Sequence, residues 1–140
     1  MDFTKKSLAL THTGAMAMLS AGIAEAETMG QPQCIVIVDA SGEVIAEIRM
    51  TGAKFLSRKS ALAKAQTAAS IRAESMTIPE DFGTLIAAAT GGSVTRLGGG
   101  LPIIIDGEVV GGIGVGSGSA DQDRQVGFAA LAAVGARTEL

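Results

Sequence analysis

The chain has 140 residues, of which 47% are hydrophobic and 3% aromatic, and its net charge is -3 at pH 7. This length fits one domain over residues 1–140. The chain has no excess of basic residues and contains neither tryptophan nor tyrosine. It therefore lacks the cationic and aromatic surface that is typical of nucleic-acid binding. One cysteine excludes an internal disulfide. Polar residues interrupt the apolar stretch at 8–23, so we expect a cytoplasmic protein without a membrane span.

The first half of the chain predicts a helix, a hairpin and a second helix. Apolar residues recur at helical spacing over residues 7–29, and Gly30 followed by Pro32 is a typical helix end. The β-branched run at 34–38 and the alternating pattern at 44–50 predict two strands joined by a turn. Residues 54–73, rich in alanine and lysine around a narrow apolar stripe, predict the second helix.

The second half predicts a short helix, a second hairpin and a final helix. Pro79 followed by two acidic residues indicates a helix start, and this helix continues to residue 89. Asp106-Gly107 between two apolar runs is typical of a tight hairpin turn. Residues 121–136 predict the last helix. The order is α-β-β-α-α-β-β-α, so we expect an α+β domain with one antiparallel sheet covered by helices.

The glycine-rich run after the second hairpin is a candidate ligand site. Gly114, Gly116 and Ser117 lie where a strand leads into the last helix, and small residues there can present backbone N–H groups to an anion. The run lacks the third glycine of a dinucleotide-binding fingerprint. We therefore expect carboxylates of a ligand at this loop. Of the following aspartates, Asp121 and Asp123, we expect one to cap the helix and the other to point into the ligand crevice.

Other polar side chains could complete a site. One face of the second predicted helix carries four of them: Ser57, Ser60, Lys64 and Thr67. This face lies either on a cleft or in solvent. Arg49 and Arg96 either bind ligand carboxylates or form internal ion pairs. His12, the one histidine, either binds a haem iron or is an ordinary surface side chain.

Five motifs, in order along the chain, carry a family resemblance. They are Asp39-Ala-Ser-Gly42, Arg49-Met-Thr-Gly-Ala53, Lys64-Ala-Gln-Thr-Ala68, Gly98-Gly-Gly-Leu-Pro102, and residues 110–115 together with Asp121-Gln-Asp123. These motifs resemble the GlcG/HbpS family, which includes the C-terminal domain of PduO-type adenosyltransferases. The resemblance covers nearly the whole chain. It implies a small α+β domain that assembles into oligomers and in several members binds haem or a corrinoid.

The resemblance also implies a function and contact residues. The chain is expected to bind haem or a related tetrapyrrole, with His12 as the metal ligand and Thr67 as a further haem contact. Alanine- and glycine-rich helices expose small apolar faces that one such domain covers poorly. We therefore expect a closed homo-oligomer with an even number of subunits.

A second class of function stays open, a cofactor-free isomerase, lyase or hydrolase. Its substrate would be a small organic carboxylate, such as a ring-cleavage product from a catabolic pathway. Arg49, Lys64 or Arg96 would orient that carboxylate, and Asp121 or Asp123 would transfer a proton.

Overall fold

A computed structural model describes residues 1–140 as four helices and one four-stranded sheet. The elements are α1 (His12–Met29), β1 (Cys34–Asp39), β2 (Val44–Arg49), α2 (Ser57–Ile71), α3 (Glu80–Ala89), β3 (Gly100–Ile105), β4 (Glu108–Gly116) and α4 (Ala120–Ala133), with a 3₁₀ turn at Ser75–Thr77. The strands pair antiparallel in the order β2-β1-β4-β3. This confirms the predicted α+β order. None of the helices combines the length and apolar character that crossing a membrane requires.

The two faces of the sheet form separate cores, and β1 contributes to both. Ile35 and Ile37 belong to the larger core, which α1 and α4 cover. Val36 and Val38 point the other way, into a smaller core lined by alanines of α2. Since successive side chains of a strand alternate between faces, burial of both faces requires a continuous apolar run. The run at 34–38 therefore marks a central strand.

Helix α2 lies against the sheet with almost no space between the backbones. A Cβ atom at Gly112 would overlap the carbonyl oxygen of Ala65, and one at Gly114 would overlap that of Ala61. The side chains between these glycines point into the larger core. Glycine at alternate positions of β4 thus makes a flat face for the helix. The assignment of Gly114 to a ligand-binding loop is corrected here, because this residue lies within the strand beneath α2.

Several local signals are confirmed, and two helix starts differ from the prediction. Asp106 and Gly107 both have positive φ, 49° and 77°, as the predicted tight turn requires. Helix α1 begins at residue 12 and not at residue 7, because the side chain of Thr11 accepts a hydrogen bond from the N–H of Gly14 and caps the helix. Helix α2 begins at residue 57, three residues later than predicted, after a turn at 51–56.

Candidate functional site

A polar cleft of about 270 Å³ lies between the start of α2 and the loop that joins β4 to α4. The helix contributes Ser57, Ser60 and Lys64, and the loop contributes Ser117. Asp123, from the first turn of α4, completes the wall. The polar face predicted for the second helix therefore borders a cleft at Ser57, Ser60 and Lys64. Five of the candidate residues named from the sequence meet here: Ser57, Ser60, Lys64, Ser117 and Asp123.

Lys64 and Asp123 form a buried ion pair at the base of this cleft. The Lys64 Nζ donates to Asp123 Oδ2 over 2.9 Å and to the carbonyl oxygen of Val115 over 2.7 Å. Their side chains are 6% and 3% exposed. Burial raises the pKa of Asp123 above its ordinary value of 3.8, while the hydrogen bond and charge of Lys64 oppose that rise. The pair joins α2, β4 and α4.

The second oxygen of Asp123 binds the loop itself. Its Oδ1 accepts a hydrogen bond of 3.0 Å from the N–H of Gly118, which also lies 3.1 Å from the Oε1 of Gln33. The N–H of Gly118 is therefore occupied by the carboxylate of the chain's own aspartate. The expectation that other N–H groups of the loop bind the carboxylates of a ligand stays a prediction. Gln33 went unrecognised in the sequence, where a polar residue directly before the apolar run at 34–38 was the available signal.

Helix α4 is capped by a serine and not by an aspartate. The Ser119 Oγ accepts from the N–H of Gln122 over 3.2 Å, and the Gln122 Oε1 accepts from the N–H of Ser119 over 2.9 Å. This reciprocal pair is a capping box, and its signature, Ser-x-x-Gln, is visible in the sequence. The expected aspartate cap is therefore wrong. Asp121 is exposed on the first turn of α4 and lies outside the cleft.

The remaining loop residues brace α2 and the segment before it. Ser117 has φ 92°, and its Oγ accepts a hydrogen bond of 3.0 Å from the N–H of Lys54. A Cβ at Gly116 would lie 2.9 Å from the carbonyl oxygen of Ser57. The Cα of Gly116 therefore faces the helix, and a backbone contact from Gly116 to a ligand stays a prediction.

Three further candidates lie outside the cleft. Thr67 is buried, and its Oγ1 accepts from the N–H of Thr95 over 3.0 Å, which holds the segment before β3 against α2. Arg49 is exposed at the end of β2 and lines a separate groove. Arg96 is also exposed, and its Nε donates to the carbonyl oxygen of Ile78. The structure thus separates both arginines from Lys64 and Asp123.

His12 lies on yet another surface, the first turn of α1, and its side chain is exposed. Met16 follows one turn later on the same face of the helix and is 54% exposed. The imidazole is thus accessible beside an exposed thioether side chain. No acidic residue occupies the first turn of this helix.

The remaining candidates for chemistry are groups of metal-binding side chains, the thiol of Cys34 and the carboxylate of Asp123. No three His, Cys, Asp or Glu side chains are grouped so that they could hold a metal ion. Cys34 is fully buried, and burial raises the pKa of its thiol. Both oxygens of Asp123 already accept hydrogen bonds.

These features define a class, a small α+β domain whose second helix rests on a glycine-lined strand and is tied to the last helix by a buried lysine–aspartate pair. The family model described as "Haem degrading protein HbpS-like" matches residues 10–132, and the chain belongs to this family.

Relatives extend this result. Corrinoid adenosyltransferase PduO of Citrobacter freundii is 32% identical over 123 residues, covering 84% of this chain but only 37% of the relative's length. Protein GlcG of Escherichia coli K12 is 31% identical over 112 residues, covering 79% of this chain and 84% of GlcG. The crystal structure of a PduOC:heme complex matches with a TM-score of 0.87 and 27% identity, covering 95% of this chain and all of that one. The resemblance to the GlcG/HbpS family is confirmed.

Proposed function

We propose that this protein binds haem on the exposed face of α1, with His12 as the axial ligand. The observation that carries the proposal is the position of the one imidazole, exposed on the same helix face as Met16. The similarity to PduOC, whose crystal structure is that of a haem complex, supports it. The HbpS-like family description points the same way.

The residues on this face fit the group. Histidine is a common axial ligand of haem iron, and the exposed thioether side chain of Met16 suits the apolar face of a porphyrin. The first turn of α1 carries no acid, so its positive helix end is available to a carboxylate. When bound, haem would supply an iron centre for ligand binding or one-electron chemistry. The protein's part is to supply the imidazole and to shield one face of the ring from water.

Thr67 is not assigned as an iron ligand in this proposal. Its hydroxyl is buried and already accepts the N–H of Thr95, so we assign iron ligation to His12 and keep Thr67 as a second position to be tested. The carboxylate-processing enzyme has less support. Arg49 and Arg96 lie outside the cleft, and the carboxylate of Asp123 is occupied by hydrogen bonds.

A hemin titration followed by Soret absorbance tests the proposal. The parent protein should give a saturable shift, and His12→Ala should weaken binding by about tenfold or more, because an axial ligand is lost. Added imidazole should restore the spectrum in that variant. Thr13→Ala is the matched control, since it truncates the neighbouring exposed residue. Unchanged spectra in His12→Ala would contradict the proposal, and a loss confined to Thr67→Ala would move the contact to that position.

We also infer a homo-oligomer with an even number of subunits. Helix α3 buries none of its residues, and its Phe82 and Leu85 are 55% and 67% exposed. Large apolar side chains grouped on an exposed helix are typical of an interaction surface. A second copy of this chain is the partner that we propose.

A further inference from the structure

One large cavity of the protein carries a concentrated positive charge. It measures about 800 Å³ and lies between the segment before α1, the C-terminal end of α2 and the β3–β4 hairpin. Four cationic side chains line it: Lys5, Lys6, Arg72 and Arg137. Glu108 is the one acidic residue in the lining. The cavity is therefore strongly positive, although the chain as a whole has a net charge of -3.

None of the four cations has an ion-pair partner within the chain. The three ion pairs of the structure use Arg58, Lys64 and Arg124 as their basic members. The Glu108 carboxylate instead accepts a hydrogen bond of 2.8 Å from the N–H of Leu8, which ties the N-terminal segment to the rim. Like charges repel one another, so four unpaired cations around one cavity favour binding of an anion.

The backbone holds both arginines at this cavity. Arg72 is the C-cap of α2 and has φ 60°, a left-handed conformation that glycine or asparagine adopts at lower cost. The N–H of Arg137 donates to the carbonyl oxygen of Ile104 over 2.9 Å, which fixes the C-terminal segment beside β3. Guanidinium groups bind carboxylate and phosphate oxygens through paired hydrogen bonds. Two of them at one cavity suit a ligand with two acidic groups.

The apolar part of the cavity wall indicates that the ligand also has an apolar portion. Leu8, Ala69, Ile104 and Val109 supply apolar surface between the cations. We propose that this cavity is a second binding site, distinct from the face of His12, for a small organic molecule with at least two carboxylate or phosphate groups. Its recognition depends on Arg72 and Arg137. Haem propionates and a free organic dianion share this chemistry, so the experiment separates the two sources.

Isothermal titration calorimetry with succinate, citrate and glycerol 3-phosphate tests the site. At least one of these probes should bind the parent protein, and Arg72→Asn or Arg137→Gln should weaken that binding by about tenfold or more. Asparagine retains access to the left-handed conformation of residue 72. Lys59→Gln is the control, because it removes one exposed positive charge outside the cavity. Equal weakening in Lys59→Gln would show non-specific charge attraction and overturn the proposal.

A hemin titration of the same variants identifies the source of the acidic groups. If free dianions bind and His12→Ala leaves that binding intact, the site is independent of haem, and the result stands even if the proposed haem function fails. If no free dianion binds but both arginine variants weaken hemin binding, the acidic groups are haem propionates, and the separate site is overturned. Absence of any binding change in either titration also overturns it.

Discussion

Lys64 and Asp123 lie 59 residues apart in the sequence, yet their Nζ and Oδ2 atoms are 2.9 Å apart in the interior of the protein. The other two ion pairs, Arg58–Glu47 and Arg124–Glu74, are more exposed. A buried charge without a partner is far costlier than a charge in water. The stability of the fold should therefore depend on both members of the Lys64–Asp123 pair.

Replacing the acid of this pair should strongly destabilise the protein. Asp123→Ala leaves the Lys64 ammonium buried with the carbonyl oxygen of Val115 as its remaining partner, so we expect a loss of about 3–5 kcal/mol in the free energy of unfolding. Urea denaturation measures the loss. Glu47→Ala, which removes the acid of an exposed pair, should cost less than about 1 kcal/mol. Equal losses in the two variants would contradict this prediction.

Removal of the base should make stability depend on pH. In Lys64→Met the lowering influence of Lys64 is absent, so the pKa of Asp123 in the folded protein should lie above that of the parent, which is itself raised above 3.8. A raised pKa in the folded state means that stability is fully present below the unfolded pKa and falls as pH rises through the folded pKa. The deficit of Lys64→Met should therefore be smallest below pH 3.8 and grow toward neutral pH.

Urea midpoints of this variant and its parent across that pH range provide the measurement. Lys59→Met is the matched control, because Lys59 is exposed on the same helix and has no ion-pair partner. A deficit that is independent of pH would show that Asp123 stays ionised without its partner.

Packing of α2 should not tolerate a methyl group on the glycine face of β4. In Gly114→Ala the new Cβ would overlap the carbonyl oxygen of Ala61, and neither backbone can move without separating helix and sheet. We expect a loss of at least about 3 kcal/mol or a failure to fold. Gly14→Ala is the control, because its Cβ would meet the flexible Leu10 side chain at 3.0 Å and the Thr11 hydroxyl at an ordinary contact distance of 3.5 Å. The stability of this variant should change by about 1 kcal/mol or less. Thermal unfolding distinguishes the two outcomes.

The cap of α4 offers a comparison between two adjacent polar residues. Ser119→Ala removes the hydroxyl that accepts the N–H of Gln122, and it should cost about 1 kcal/mol. Asp121→Ala should cost a few tenths of a kcal/mol at high salt, because its exposed carboxylate acts on the helix dipole and on Arg124 through charge interactions that salt screens. Chemical denaturation at high salt measures both, and a larger loss in Asp121→Ala would overturn the assignment of the cap.

Assembly should depend on the apolar face of α3. Light scattering at micromolar concentration should give an even multiple of 14.0 kDa for the parent protein. Leu85→Glu should lower that mass, since an ionised side chain would have to be buried at the interface. Thr84→Glu, an exposed neighbour on the same helix, should not. A monomeric parent, or an unchanged mass in Leu85→Glu, would contradict the prediction.

Short-range chemistry is sufficient to predict most of this fold. The Asp106-Gly107 turn, the helix stop at Gly30 and the continuous run of β1 each depend on residues close together in the chain, so their structures follow from local conformational preferences and alternation of burial. The capping box at Ser119 and the cap at Thr11 are equally local. Their signatures stand in the sequence, and the predicted helix starts missed them.

The roles of the glycines and of the charged pair are decided only by the tertiary structure. The run Gly112-x-Gly114-x-Gly116 has the same composition whether it borders a ligand or a helix, and it is α2, some 50 residues earlier in the chain, that occupies the space above it. Whether Asp123 caps a helix, receives a proton or neutralises Lys64 likewise depends on which group lies within hydrogen-bond distance of its oxygens. Such distances are set by the packing of α2 and α4 on the sheet. That packing brings together residues that are distant in the sequence, and no local sequence pattern predicts it.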